Sequence, residues 1–128
     1  MRPLWESPPY NVTSLPIGGV TTLTNIGTNP VVIGIAEADF TNVRRVKLTV
    51  RVNKIGTGTQ TWQLWNETNS AALATIADAG GTGDKTLATA EIDISGSGLS
   101  GMKLLFLRAF SSVGADDPVF RGGCAVLS

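Results

Sequence analysis

The run "RRVKLTVRVNK" at 44–54 alternates without a break. Val46, Leu48, Val50 and Val52 fall on one side, and Arg45, Lys47, Thr49, Arg51 and Asn53 on the other. Successive side chains of a strand point to opposite faces, so the pattern predicts a half-buried antiparallel strand with one wet face. A helix would need apolar residues at spacings of three and four, and no window of the chain sustains such a stripe. The segments around this run must therefore supply partner strands.

"GTGT" (56–59) turns the chain, and "TQTWQLWNE" (59–67) reads as the next strand. Period two places Trp62 with Leu64 on one face and Trp65 with Thr61 and Gln63 on the other. The two tryptophans thus form no common platform. Trp62 is expected in the core and Trp65 on the polar face. Short apolar runs at Val20–Leu23 and Val31–Ile35 flank "GTNP" (27–30), and a further short strand is expected at Leu73–Ile76. "KTLATAEIDIS" (85–95) alternates, with Ala88, Ala90, Ile92 and Ile94 inward and Leu87, Thr89, Glu91 and Asp93 outward. "MKLLFLRAF" (102–110) is apolar nearly throughout, which predicts a strand covered on both faces. "VFRGGCAVLS" (119–128) closes the sheet, with Gly122–Gly123 marking a bulge.

Short strands between Gly/Ser/Asp turns predict an all-β chain, an antiparallel β-sandwich of jelly-roll-like form. A length of 128 residues suits one domain, here 19–128. Residues 1–18 carry Pro3, Pro8, Pro9 and Pro16, which rule out helix and central strand. The same stretch holds Leu4, Trp5 and Tyr10, too aromatic for a solvated tail. It reads as an extended arm. Leu4, Trp5, Pro8, Pro9 and Tyr10 are its candidate docking residues, lying on this domain or on a neighbour.

The chemistry is defined by what is missing. The sequence has no His and one Cys. A Ser or Cys nucleophile activated by His is excluded, and zinc and copper lose their commonest ligand. Glu91 with Asp93, and Asp116 with Asp117, read as a solvated strand face and a turn. Asp78, Asp84, Asp116 and Asp117 match no calcium-loop spacing. The expectation is no catalytic residue, no metal and no cofactor. Ten Lys+Arg balance ten Asp+Glu, and 16% of residues are charged, against roughly 25% in ordinary soluble domains. Such a surface does not point to nucleic acid or an anionic membrane. No segment reaches the roughly 18 apolar residues of a membrane span.

Two patches remain. Arg45, Lys47 and Arg51 share a strand face that could meet an acidic partner. Trp65 with Gln63, Asn66 and Asn69 has the parts of a sugar site, an aromatic plane with amide hydrogen-bonding groups.

Residues 38–128, through "ADFTNV", "TGTQTWQLWNET", "DAGGTGDK" and "LSGMKLLFLRA", resemble small β-sandwich proteins of tailed-bacteriophage virions. These are capsid decoration (cement) proteins and modules of tail or head fibres. The resemblance implies a structural protein on the outer surface of the virion. It would bind the major capsid protein, lock capsomers together and act as a homo-oligomer, a trimer or dimer. The alternative within the same family is a carbohydrate- or receptor-binding module of a fibre.

Overall fold

The computed structural model describes residues 13–128. The strands are β1 (Thr13–Ile17), β2 (Thr21–Thr22), β3 (Val31–Asp39), β4 (Arg45–Lys54), β5 (Gln60–Asn66), β6 (Ala71–Asp78), β7 (Gly83–Ala88), β8 (Ile92–Asp93), β9 (Met102–Ser111) and β10 (Val119–Leu127). A single 3₁₀ turn at Ser95–Ser97 is the only helical element among the described residues, so no helix there could cross a membrane.

All pairings are antiparallel and form two sheets. One has the order β1-β10-β4-β7, with β2 beside β10 and β8 beside β4; the other has the order β3-β9-β5-β6. β1 with β2, and β7 with β8, each occupy one strand position. Numbering the positions one to eight gives 1-8-3-6 and 2-7-4-5. Each pair sums to nine, as when one long hairpin rolls up on itself. This is the jelly roll, two four-stranded sheets around one core.

Alternation sorts side chains as the sequence predicts along β4: Val46, Leu48, Val50 and Val52 are buried. Trp62 and Leu64 of β5 are also fully buried, as are Leu105, Leu107 and Ala109 of β9. Trp62 crosses the core to stack on Phe120 of β10, with ring centroids 5.8 Å apart and planes at 28°. That contact joins the two sheets. β10 carries its expected irregularity between Phe120 and Gly122, where Gly122 takes φ 135°.

Two expectations are corrected. The segment 85–95 is not one strand with Ala88 inward. Leu87 faces the core opposite Val50, and Ile92 faces it opposite Val46. They are an odd number of residues apart, so the phase must slip between them. It slips at Thr89, whose N–H donates to Leu48 O at 2.9 Å while its hydroxyl oxygen accepts from Leu48 N at 3.0 Å. A side chain thus takes over one backbone bond, and β7 and β8 separate. The second correction concerns residues 13–17, counted above with the arm. They form β1, an edge strand on β10, where Pro16 is tolerated.

β1 leaves its sheet by passing close to β3. A Cβ at Gly34 would stand 2.7 Å from Gly18 N and 2.8 Å from Ile17 Cγ2. The backbone of one sheet's edge is stitched to the other's there, and only glycine fits. Gly34→Ala should destabilise the fold by about 1–3 kcal/mol through overpacking. A lowered urea midpoint with an unchanged m-value would be the signature.

Candidate functional site

The two sheets present very different outer faces. On the first, β4 sets out Arg45, Lys47, Thr49 and Arg51, flanked by β10 and β7. The expected basic face is in fact mixed. Arg45 lies 3.7 Å from Glu91, both more than half exposed. Arg51 borders a shallow groove with Asp84, Lys85, Thr86 and Arg121, and Arg121 Nε donates to Asp84 Oδ1 at 3.1 Å. Asp93 pairs across from Arg45. Acids distant in sequence thus answer the bases on the folded surface. Exposed pairs of this kind contribute little to stability.

On the second sheet, β5 directs Thr61, Gln63 and Trp65 outward, opposite Phe110, Arg108 and Phe106 of β9. The Arg108 guanidinium lies 3.7 Å from the centroid of the Trp65 ring, and its Nε donates to Gln63 Oε1 at 2.8 Å. Gln63 Nε2 donates to Thr75 Oγ1 at 3.3 Å, and Trp65 Nε1 to Glu67 Oε2 at 2.9 Å. The polar edges of Gln63 and Trp65 are therefore engaged within the chain, and Arg108 covers one ring face.

Asn66 does not join them. It follows Trp62 and Leu64 on the inward side and is 1% exposed. Its Nδ2 donates to Asn69 Oδ1 at 2.9 Å, and its Oδ1 accepts from Asn69 N at 3.2 Å. Those bonds close the β5–β6 turn. The four residues grouped as a glycan contact thus split, two on the outer face and two in a turn. The docking residues Leu4, Trp5, Pro8, Pro9 and Tyr10 lie outside the described residues.

β9 contributes a feature the sequence signalled only obliquely. Its inner side packs Leu105, Leu107 and Ala109, but its outer side also carries Met102, Leu104, Phe106 and Phe110. Ile35 of β3 lies beside Phe106, and Val32 beside Arg108. Met102 is 58%, Ile35 65% and Val32 46% exposed, while Leu104, Phe106 and Phe110 are half-buried. The strand was expected to be covered on both sides. Among the described residues nothing covers the outer one.

The acids weighed as calcium ligands are dispersed. Asp78 Oδ1 accepts from Lys85 Nζ at 3.0 Å, Asp84 holds Arg121, and Asp117 Oδ1 caps the Asn25 N–H. Asp116 is buried, and its Oδ2 accepts from Ser111 Oγ at 2.7 Å, Gly58 N at 3.2 Å and Gln60 Nε2 at 3.4 Å. The Ser111 hydroxyl, with help from Gln60 and the Gly58 and Thr57 amides, holds this carboxyl below its ordinary range against the opposing effect of desolvation. Nearby Lys54 is 2% exposed, with Nζ donating to the carbonyls of Asp78 at 3.1 Å and Gly80 at 2.6 Å. These contacts pin loops at one end of the sandwich. Among the described residues no three His, Cys, Asp or Glu side chains cluster to hold a metal ion.

No family model matches the chain, and no curated protein matches its sequence. Solved structures match its shape. The subunit of T=1 particles derived from infectious bursal disease virus aligns with a TM-score of 0.59 and 15% identity, over 91% of this chain and 31% of that one. The Gx strain of the same virus gives 0.56 and 17%, over 91% and 31%. The chain spans about a third of the length of these viral chains. Eiger TNF from S. frugiperda, a protein of similar size, aligns with a TM-score of 0.57 and 11% identity, over 91% of this chain and 92% of that one. At these identities the likeness is one of fold: the chain shares the two-sheet β-sandwich found in viral capsid subunits and in a TNF protein.

Proposed function

We propose that this protein is a non-enzymatic structural component of a virion. In this reading it is a decoration (cement) protein of a tailed-bacteriophage capsid, acting as a homo-oligomer on the outer surface of the shell, where it binds the major capsid protein. The observation that carries the reading is a complete jelly roll with a wide apolar outer face and no covering element among the described residues. A protein built to be covered by neighbours shows such a face, because isolated soluble domains rarely leave contiguous apolar patches uncovered. The viral subunits that share the fold support the same reading. The Pro- and aromatic-rich residues 1–12 supply a second docking element.

The test is co-sedimentation of the purified protein with empty shells assembled from the major capsid protein of the same genome, run beside a glycan array. Saturable shell binding is expected. Removing residues 1–12, which leaves β1 whole, should abolish it while the domain stays folded. Absence of shell binding, together with glycan binding that Trp65→Ala removes, would replace the cement reading with a receptor-binding one.

A further inference from the structure

We propose that the outer face of the β3-β9-β5-β6 sheet is a self-association surface, on which a second copy of this chain packs about a twofold axis. It rests on the same apolar face as the virion reading and names the surface through which its homo-oligomer would form; dimerisation and shell binding are measured separately, so either can fail alone.

Three observations carry it. The first is chemical contrast between the two outer faces. The β1-β10-β4-β7 face is set with Arg45, Lys47, Arg51, Asp84 and Arg121, whereas the other centres on Ile35, Leu104 and Phe106. The second carries fewer charges, with Glu37 and Arg108 flanking an apolar centre, so covering it displaces water at a lower cost.

The second is size. β3 and β9 run 9 and 10 residues in a sheet of four strands. At about 3.3 Å per residue and about 4.8 Å between strands, the face measures on the order of 600 Å². Two copies would bury about 1,200 Å² in all, the lower end of the range for specific interfaces.

The third is charge placement, which selects a second copy over an unrelated partner. The Ile35–Phe106 row lies at the middle of the face. Glu37 pairs with Leu104 on one side of that row, and Arg108 pairs with Val32 on the other. A twofold axis lying along the row reverses strand direction between the facing sheets. It therefore carries Arg108 of one copy to the level of the partner's Glu37, and Glu37 to the level of the partner's Arg108. An isologous contact requires this reciprocity. In the single chain the Arg108 guanidinium lies over Trp65 and bonds Gln63, on the β5 side of β9, so pairing with the partner's Glu37 requires it to swing toward β3. Glu37 makes no ion pair among the described residues. A formal net charge of zero adds no long-range repulsion between copies.

Sedimentation velocity over a concentration series tests this with the full chain and four variants: Ile35→Lys, Glu37→Arg, Arg108→Glu and the double reversal. Ile35 is 65% exposed, so its replacement should leave the fold intact, checked by circular dichroism. The full chain should dimerise, and Ile35→Lys should raise the dissociation constant by at least about tenfold. Each single reversal should weaken the dimer, and the double should regain most of the loss. That regain separates a facing pair from general damage to the face. A chain that stays monomeric at every concentration overturns the proposal, as does a dimer indifferent to Ile35→Lys. A monomer that begins to dimerise when residues 1–12 are removed overturns it too, because the chain's own N-terminal residues would then be the cover.

Discussion

Trp62→Ala should cost about 3–5 kcal/mol, the usual range for emptying a buried aromatic site. Trp62 is fully buried, and its ring lies against Phe120 of the opposite sheet. Truncation removes both the buried area and the contact that ties the sheets together. Domains of this size are stable by about 5–15 kcal/mol in total, so the loss is a large share of the whole. Trp62→Phe should be much milder. It keeps an aromatic partner for Phe120, and it deletes an indole N–H that finds no acceptor among the described residues. Urea titration followed by circular dichroism checks both, and the ordering is the informative result. Equal losses for Ala and Phe would mean that the indole N–H, and not the filled volume, is what the site requires.

That core position was legible because period two separates Trp62 from Trp65 whatever the strand order. The same reasoning found β4, where four valines and leucines in phase leave no other solution. It failed where a bond outside the backbone ladder intervenes. Thr89 replaces a ladder bond with its hydroxyl, and nothing in "KTLATAEIDIS" distinguishes that threonine from Thr86. It failed again at Asn66, an amide read as surface chemistry. The alternation that buried Trp62 and Leu64 also buries Asn66, and the turn to Asn69 satisfies its amide. Lys54 repeats the lesson. It is next in phase after Val52, and its ammonium is accommodated by two carbonyls from a loop more than twenty residues away.

The surface was harder to read than the core, for a physical reason. Which charges meet on an outer face depends on strand order, and alternation does not supply it. Arg45, Lys47 and Arg51 read as basic because Glu91 and Asp84 are remote in sequence; the jelly-roll order brings those acids alongside. "MKLLFLRAF" is apolar on both sides, which predicted a strand covered on both faces; among the described residues its outer side is left uncovered, because alternation within one strand does not show what packs over it.

Asp116 should be the most consequential polar residue of the described chain. Its buried carboxylate ties the end of β9, through Ser111, to the entry into β5, through Gly58 and Gln60. Asp116→Ala leaves the Gly58 N–H and the Ser111 hydroxyl without that acceptor, at a cost of about 1.5–3 kcal/mol. The same bonds set an acid dependence. Asp116 titrates below its ordinary value of 3.8 in the folded chain. As pH falls, the unfolded chain takes up this proton first, so stability declines. The contribution is present in full above the unfolded value and is lost as pH falls through the lower, folded one. Asp39 and Asp93, lowered by hydrogen bonds from Thr41 and Ser95, act in the same direction. The difference between wild type and Asp116→Asn therefore isolates Asp116. Chemical denaturation from pH 7 down to about pH 2 should show the two curves converging on the acid side, since the asparagine has no proton to gain. Parallel curves would mean that the Ser111, Gly58 and Gln60 bonds hold the loop without favouring the ionised carboxylate.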